Sequence, residues 1–160
     1  GMDRNFKVQA HWITLNVEDQ KLEDVLDIIV KQMENYKWEI NDDVVNIFPI
    51  RGRDEIYAQL LRLKIKGYVL GKGVPISRIR LKLFELPEVM HYLNENNIGF
   101  SSSRFAPMYL ERPMPAEMNV LSLSFRDLLN KVTKTKRGGW ILKNNKFLKA
   151  GEKEYIEIEI

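Results

Sequence analysis

The chain contains no cysteine and only two histidines, His11 and His91, which lie far apart in the sequence. The lack of cysteine excludes disulfide bonds, thiol catalysis and cysteine-ligated metal sites. Two distant histidines do not form the short-spaced pair typical of a zinc site, and no acidic calcium-binding loop is present. We therefore predict no metal site.

Long apolar runs are also absent, since none approaches the roughly 20 residues that a membrane-spanning helix requires. No signal peptide is evident, but Gly1 before Met2 is typical of a residue left by an expression tag. The sequence therefore does not identify the native N terminus. The net charge of +3 is a mild basic bias, smaller than most nucleic-acid-binding domains show. A chain of 160 residues fits one domain or two very small lobes.

Catalytic motifs are missing as well. No Gly-x-Ser-x-Gly elbow activates a serine, and Ser101–Ser103 is typical of a polar loop. The glycines at 71 and 73 and at 138 and 139 lack the strand and helix context of a phosphate-binding loop. The sequence therefore predicts a protein that is not an enzyme, with no catalytic residues and no cofactor.

The clearest pattern runs from Ile13 to Pro49 and predicts a strand, a helix and a hairpin. Alternation over Trp12–Val17 indicates a half-buried strand. Asp19 is a candidate N-cap, and Asn41–Asp43 is typical of a hairpin turn between two strands. A helical apolar stripe lies between them, formed by Leu22, Val25, Leu26, Ile29, Val30 and Met33.

The middle of the chain predicts a second strand–helix step. Strict alternation indicates strands over 61–68 and 79–83. Leu86 and Pro87 mark the start of a helix, because proline fits the first helical turn. Residues 99–115 are rich in serine and proline and predict a connector with an extended piece.

The last segment repeats the first. The stripe of Leu22, Val25, Leu26 and Ile29 returns as Phe125, Leu128, Leu129 and Val132. Ser124 and Asp127 have the spacing of a capping box, and three basic residues before Gly138 and Gly139 favour a helix end there. Trp140 follows its stripe as Trp38 follows the first, and both, with Trp12, are predicted as core residues. The alternative is a chance match between two strand–helix–strand segments.

We predict an α+β fold of duplicated strand–helix–hairpin units, with mainly antiparallel sheet and helices on one face. The predicted segments are a first unit over 10–59, a middle strand–helix segment and connector over 60–112, and a second, degenerate unit over 113–160. Together they are expected to form one compact protein.

Residues 13–49, with Asn16-Val17, a leucine-led helix and the ending Val44-Val-Asn-Ile-Phe-Pro49, resemble the short N-terminal domain of secretins and TonB-dependent receptors. The weaker likeness covers about 117–160, and duplicated forms occur in uncharacterised bacterial envelope proteins. The resemblance implies a small periplasmic or exported α+β module that binds a protein partner and has no catalytic residues. No barrel, plug or ring segment follows here, so the resemblance implies no transport role.

A second hypothesis comes from charge. No Asp or Glu occurs between Ile56 and Phe84, and if the two predicted strands pair, their cations form a ladder. Such a ladder would attract nucleic acid or anionic lipid, although a solvated sheet face is the other interpretation. The candidate anion- or partner-binding residues are Arg62, Lys64, Lys66, Arg78, Arg80 and Lys82. The sequence leaves the partner and the oligomeric state open.

Overall fold

The computed structural model describes residues 15, 17–33, 35–50, 55–100, 113–145 and 154–159. Within these ranges the chain forms five helices and seven strands, which confirms the α+β prediction. In chain order they are α1 (Leu22–Gln32), β1 (Tyr36–Asn41), β2 (Val44–Pro49), α2 (Glu55–Arg62), β3 (Lys64–Leu70), α3 (Ile76–Phe84), α4 (Pro87–Glu95), β4 (Ile98–Phe100), β5 (Met118–Ser124), α5 (Phe125–Lys136), β6 (Ile141–Asn145) and β7 (Glu154–Glu159).

The chain divides into two compact units. The first comprises Gly1–Asn41 and Val45–Gly52, and the second comprises Asp42–Val44 and Arg53–Ile160. The described strands form three small sheets, which are β1–β2, β3–β5 and the order β4–β7–β6. In the third sheet β7 pairs parallel with β4 and antiparallel with β6. The three-segment division, and helices on one sheet face, stay predictions.

The first unit contains the predicted helix and most of the predicted hairpin, whose turn residues belong to the second unit. Asp42 and Asp43 have φ of 51° and 60°, the left-handed conformation that a two-residue hairpin turn requires. The predicted N-cap at Asp19 is wrong, because Lys21 is the cap residue and its side chain makes no capping bond. Leu22 begins the stripe but is 57% exposed. Most of the strand predicted over Trp12–Val17 lies outside the described residues.

The second unit is built around α5. Its stripe of Phe125, Leu128, Leu129 and Val132 is completely buried, as the helical spacing predicts. The stripe lies in one apolar cluster with residues from α2, α3 and α4 and from β3, β5 and β7. Lys136 ends the helix, and Arg137 is the C-cap in a left-handed conformation, close to the predicted end.

One predicted strand is wrong. Residues 79–83 belong to helix α3 instead, which begins after Pro75 and buries Ile79, Leu83 and Phe84. In this short segment the same apolar residues satisfy a spacing of two and a helical spacing of four, so alternation alone could not decide. The other elements of the middle segment are confirmed, since β3 covers most of 61–68 and α4 begins at Pro87.

The N terminus of α5 supplies the first testable prediction. The Asp127 amide donates to Ser124 Oγ over 3.1 Å, and the Ser124 hydroxyl donates to Asp127 Oδ2 over 2.6 Å. The first bond fits the predicted capping box, and the second joins the same two side chains. Ser124→Ala should therefore lower the free energy of unfolding by about 1 kcal/mol. Urea denaturation measures it, with the exposed Lys131→Ala as the control, and equal stabilities for the two variants would contradict the capping role.

Candidate functional site

The candidate site is the β3–β5 sheet. The hydrogen-bond pattern between these two strands shows which backbone groups point away from the sheet. The two strands pair antiparallel along their lengths. Next to the pair, the Phe125 amide donates to the Leu63 carbonyl over 2.8 Å. Hydrogen-bonded pairs recur at every second position in such a ladder, so the residues between them face outward. The phase of this ladder shifts by one residue at the unpaired Lys66 and Ser122, because a Cβ on Gly67 would lie 3.8 Å from the Val120 carbonyl oxygen, which therefore points at β3. The outward residues are Lys64, Lys66 and Val69 on β3, and Asn119 and Leu121 on β5.

The two outer edges of this sheet differ. On β3 the Lys66 amide donates to Glu88 Oε1 of α4 over 3.2 Å, so a side chain covers that edge. Along β5, the outward backbone groups of Asn119 and Leu121 make no hydrogen bond to any residue that the structure describes. Among the described residues, the outer edge of β5 therefore has no partner strand.

The exposed face beside this edge is apolar. Leu121 and Val69 are 75% and 67% exposed, although both lie in strands. Leu121 stands opposite Gly67, and a Cβ built on that glycine would meet Leu121 Cδ2 at 3.4 Å, so the leucine lies against the glycine backbone. We define the edge surface as Val69 and Met118–Ser122. It combines unpaired backbone groups with exposed aliphatic side chains.

The sheet bends in the middle of the edge surface. Ile65 and Tyr68 are both buried, yet three positions separate them, so the alternation of buried and exposed residues shifts by one at Lys66 and Gly67. On the facing strand Ser122 has φ of 55°, a left-handed conformation that interrupts a regular strand. The straight part of the edge is consequently short and covers Met118–Leu121.

The six predicted cationic residues do not form a ladder of two strands. Lys64 and Lys66 lie on β3, and Arg62 ends α2, where it lies 3.5 Å from Glu55. The other three, Arg78, Arg80 and Lys82, lie on helix α3. Because this segment is a helix, it does not form the predicted strand pair with β3. The role of these cationic residues in binding an anion stays a prediction.

No group of three or more metal-ligating side chains that could hold an ion is found within the described ranges. His91 lies on the surface, 3.2 Å from Glu95, and His11 is outside those ranges. Among the described helices, none combines the length and the apolar character that crossing a lipid bilayer requires.

Tyr68 is a buried phenol whose hydroxyl has no hydrogen-bond partner among the residues that the structure describes. Burial raises its pKa well above the ordinary value of 10.0, because the folded state disfavours the phenolate. This contribution to stability is complete below pH ~10 and is lost as the pH rises further, since the unfolded chain ionises first.

Tyr68→Phe should therefore be neutral or slightly stabilising near neutral pH, because it removes an unsatisfied hydroxyl. Above pH ~10 the variant should lose less stability than the wild type. Urea denaturation midpoints at several alkaline pH values measure both effects. Parallel pH profiles would show that the phenol is not desolvated in the folded state, and a clear loss of stability at neutral pH would show that the hydroxyl has a partner.

The sequence patterns did not identify β5 as a strand whose outer edge lacks a partner among the described residues. Comparison of the chain with protein-family models, with curated protein sequences and with solved structures finds no match.

Proposed function

We propose that this chain is a non-enzymatic protein-interaction module in which the outer edge of β5 pairs with an extended strand of a protein partner. The observation that carries the proposal is the open edge at Met118–Ser122. Its outward amides and carbonyls lack partners among the described residues, and a partner strand would satisfy them.

The edge surface supplies the two components that strand addition requires. Backbone hydrogen bonds from Asn119 and Leu121 would provide affinity without sequence selectivity. The exposed side chains of Leu121 and Val69 would add apolar contacts that select the partner's side chains. Because Ser122 bends the strand, the edge suits a short partner segment rather than a long one.

The cellular setting of the proposal is the bacterial cell envelope, with the module in the periplasm or exported. This part rests on the resemblance of residues 13–49 to the short N-terminal domain of secretins and TonB-dependent receptors. In that setting the partner is an envelope protein, and the module itself performs no reaction.

Internal duplication belongs to the same proposal, and two equivalent hydrogen bonds support it. Trp38 Nε1 donates to Asp27 Oδ1 over 2.7 Å in the first unit. Trp140 Nε1 donates to Asn130 Oδ1 over 2.8 Å in the second. Asp27 and Asn130 are each the sixth residue of their helix, and in both units a pair of strands follows. Two segments whose helical stripes match only by chance would not be expected to share this side-chain contact.

The experiment that tests the proposal is site-specific photo-crosslinking in the cells that produce the protein. A benzophenone amino acid replaces Leu121 in one variant and Asn94, an exposed residue of α4, in the control. We expect one defined protein adduct from position 121 that the control does not give. The purified partner should then bind the wild-type chain directly, with affinity that persists at high salt.

Two results would overturn the proposal. Position 121 could give no adduct above the control, or its partner could be nucleic acid that is released at high salt, as the cationic hypothesis requires.

A further inference from the structure

We propose that the cleft at the C-terminal end of α5 binds a phosphate group, carried by inorganic phosphate or by a phosphomonoester. The cleft has a volume of about 350 Å³ and is lined by Pro113, Pro115, Thr135, Lys136 and Arg137. This space would hold roughly ten water molecules, which is sufficient for a phosphate group with a small substituent. The site lies within the second unit and does not depend on the proposed strand pairing.

The two cations of the cleft are the groups that would recognise the anion. Lys136 offers three N–H donors, and Arg137 offers a planar fork that matches two phosphate oxygens. The Thr135 hydroxyl is already used, because it donates to the Lys131 carbonyl over 2.9 Å. Pro113 and Pro115 provide apolar walls without competing donors. Recognition is therefore by positive charge, which suits a phosphate better than a neutral ligand.

These charges are not neutralised by the rest of the described chain. Lys134, on the same helix, lies 2.8 Å from Asp43 Oδ2, whereas Lys136 and Arg137 form no ion pair with a described residue. At the helix end the Arg137 amide donates to the Lys134 carbonyl and the Gly138 amide donates to the Thr133 carbonyl, so backbone amides already occupy these two carbonyls. Two cations thus face one cleft without a compensating anion from the described residues.

The environment of Lys136 indicates that the cleft would gain from an anion. Partial burial lowers the pKa of Lys136, and the positive charge of Arg80 on α3 lowers it further. A bound phosphate would oppose both effects and raise the pKa of Lys136. Arg80 lies on α3 and Lys136 on α5, so the fold brings these two cations together.

The test is an NMR titration of the full chain with inorganic phosphate, at constant ionic strength and with sodium chloride as the reference salt. We expect saturable shifts of the amides of Thr135–Gly139. Lys136→Gln and Arg137→Gln should each weaken binding at least fivefold, whereas Lys131→Gln, an exposed change on the same helix, should leave it unchanged. Added phosphate should also raise the pKa of Lys136, measured on its side-chain signals.

Two further probes separate the sources of the phosphate. Glycerol phosphate tests a soluble phosphomonoester, and vesicles of phosphatidic acid in phosphatidylcholine test a lipid headgroup. Saturable binding of any probe that Lys136→Gln weakens and Lys131→Gln does not would support the site. The absence of saturable binding, equal effects of the two variants, or an unmoved Lys136 pKa would overturn it.

Discussion

Replacing Phe125 with alanine should lower the free energy of unfolding of the second unit by about 3–5 kcal/mol, because the change leaves a cavity in a close-packed core. The side chain is fully buried at the start of α5, in the same cluster as residues of β3 and β5. Urea denaturation followed by residue-resolved hydrogen exchange would assign the loss to this unit.

The matched control for that variant is Leu22→Ala. Leu22 has the same place in the stripe of α1 but is largely exposed, so its replacement should cost only about 0.5 kcal/mol. The pair of variants thus separates helix position from burial. Similar losses in both would show that Leu22 is buried in solution, and a small loss in Phe125→Ala would place the core elsewhere.

The second large effect concerns partner binding. Leu121→Lys should weaken binding of the captured partner at least tenfold, because a charged side chain on an edge opposes strand addition. Leu121 is so exposed that the fold itself should lose less than about 0.5 kcal/mol. Isothermal titration calorimetry with the purified partner measures the affinity, and urea denaturation checks the stability.

The control puts the same charge on another outer strand. Ile141 begins β6 and is 55% exposed, so Ile141→Lys changes a comparable apolar site in a different sheet. Its affinity for the partner should equal that of the wild type. If Ile141→Lys is the variant that loses binding, the partner pairs with β6, and the assignment to β5 is wrong.

Features set by neighbouring residues could be predicted from the sequence. The helix at Leu22–Gln32, the turn at Asp42 and Asp43 and the capping by Ser124 each depend on contacts within one or two turns of chain. Local chemistry therefore determines them. The same reasoning failed at α3, where nine residues are too few for one period to exclude the other.

The candidate sites could not be predicted, because they depend on residues distant in sequence. Leu121 lies in the same alternating segment as the buried Val120. Only its pairing with Gly67 in the sheet shows that the face carrying the Leu121 side chain is exposed. Lys136 and Arg80 come together through the packing of two helices in one core, which no local pattern reveals. Exposure of an apolar strand residue is a tertiary property.

Hydrogen exchange of the β5 amides, in the free chain and with the captured partner, tests strand pairing most directly. In the free chain the amides of Asn119 and Leu121 should exchange quickly, whereas those of Met118 and Val120, which face β3, should be protected. With the partner, Asn119 and Leu121 should become protected while the α4 amides stay unchanged. Slow exchange at Asn119 and Leu121 in the free chain, or no gain of protection in the complex, would contradict docking at this edge.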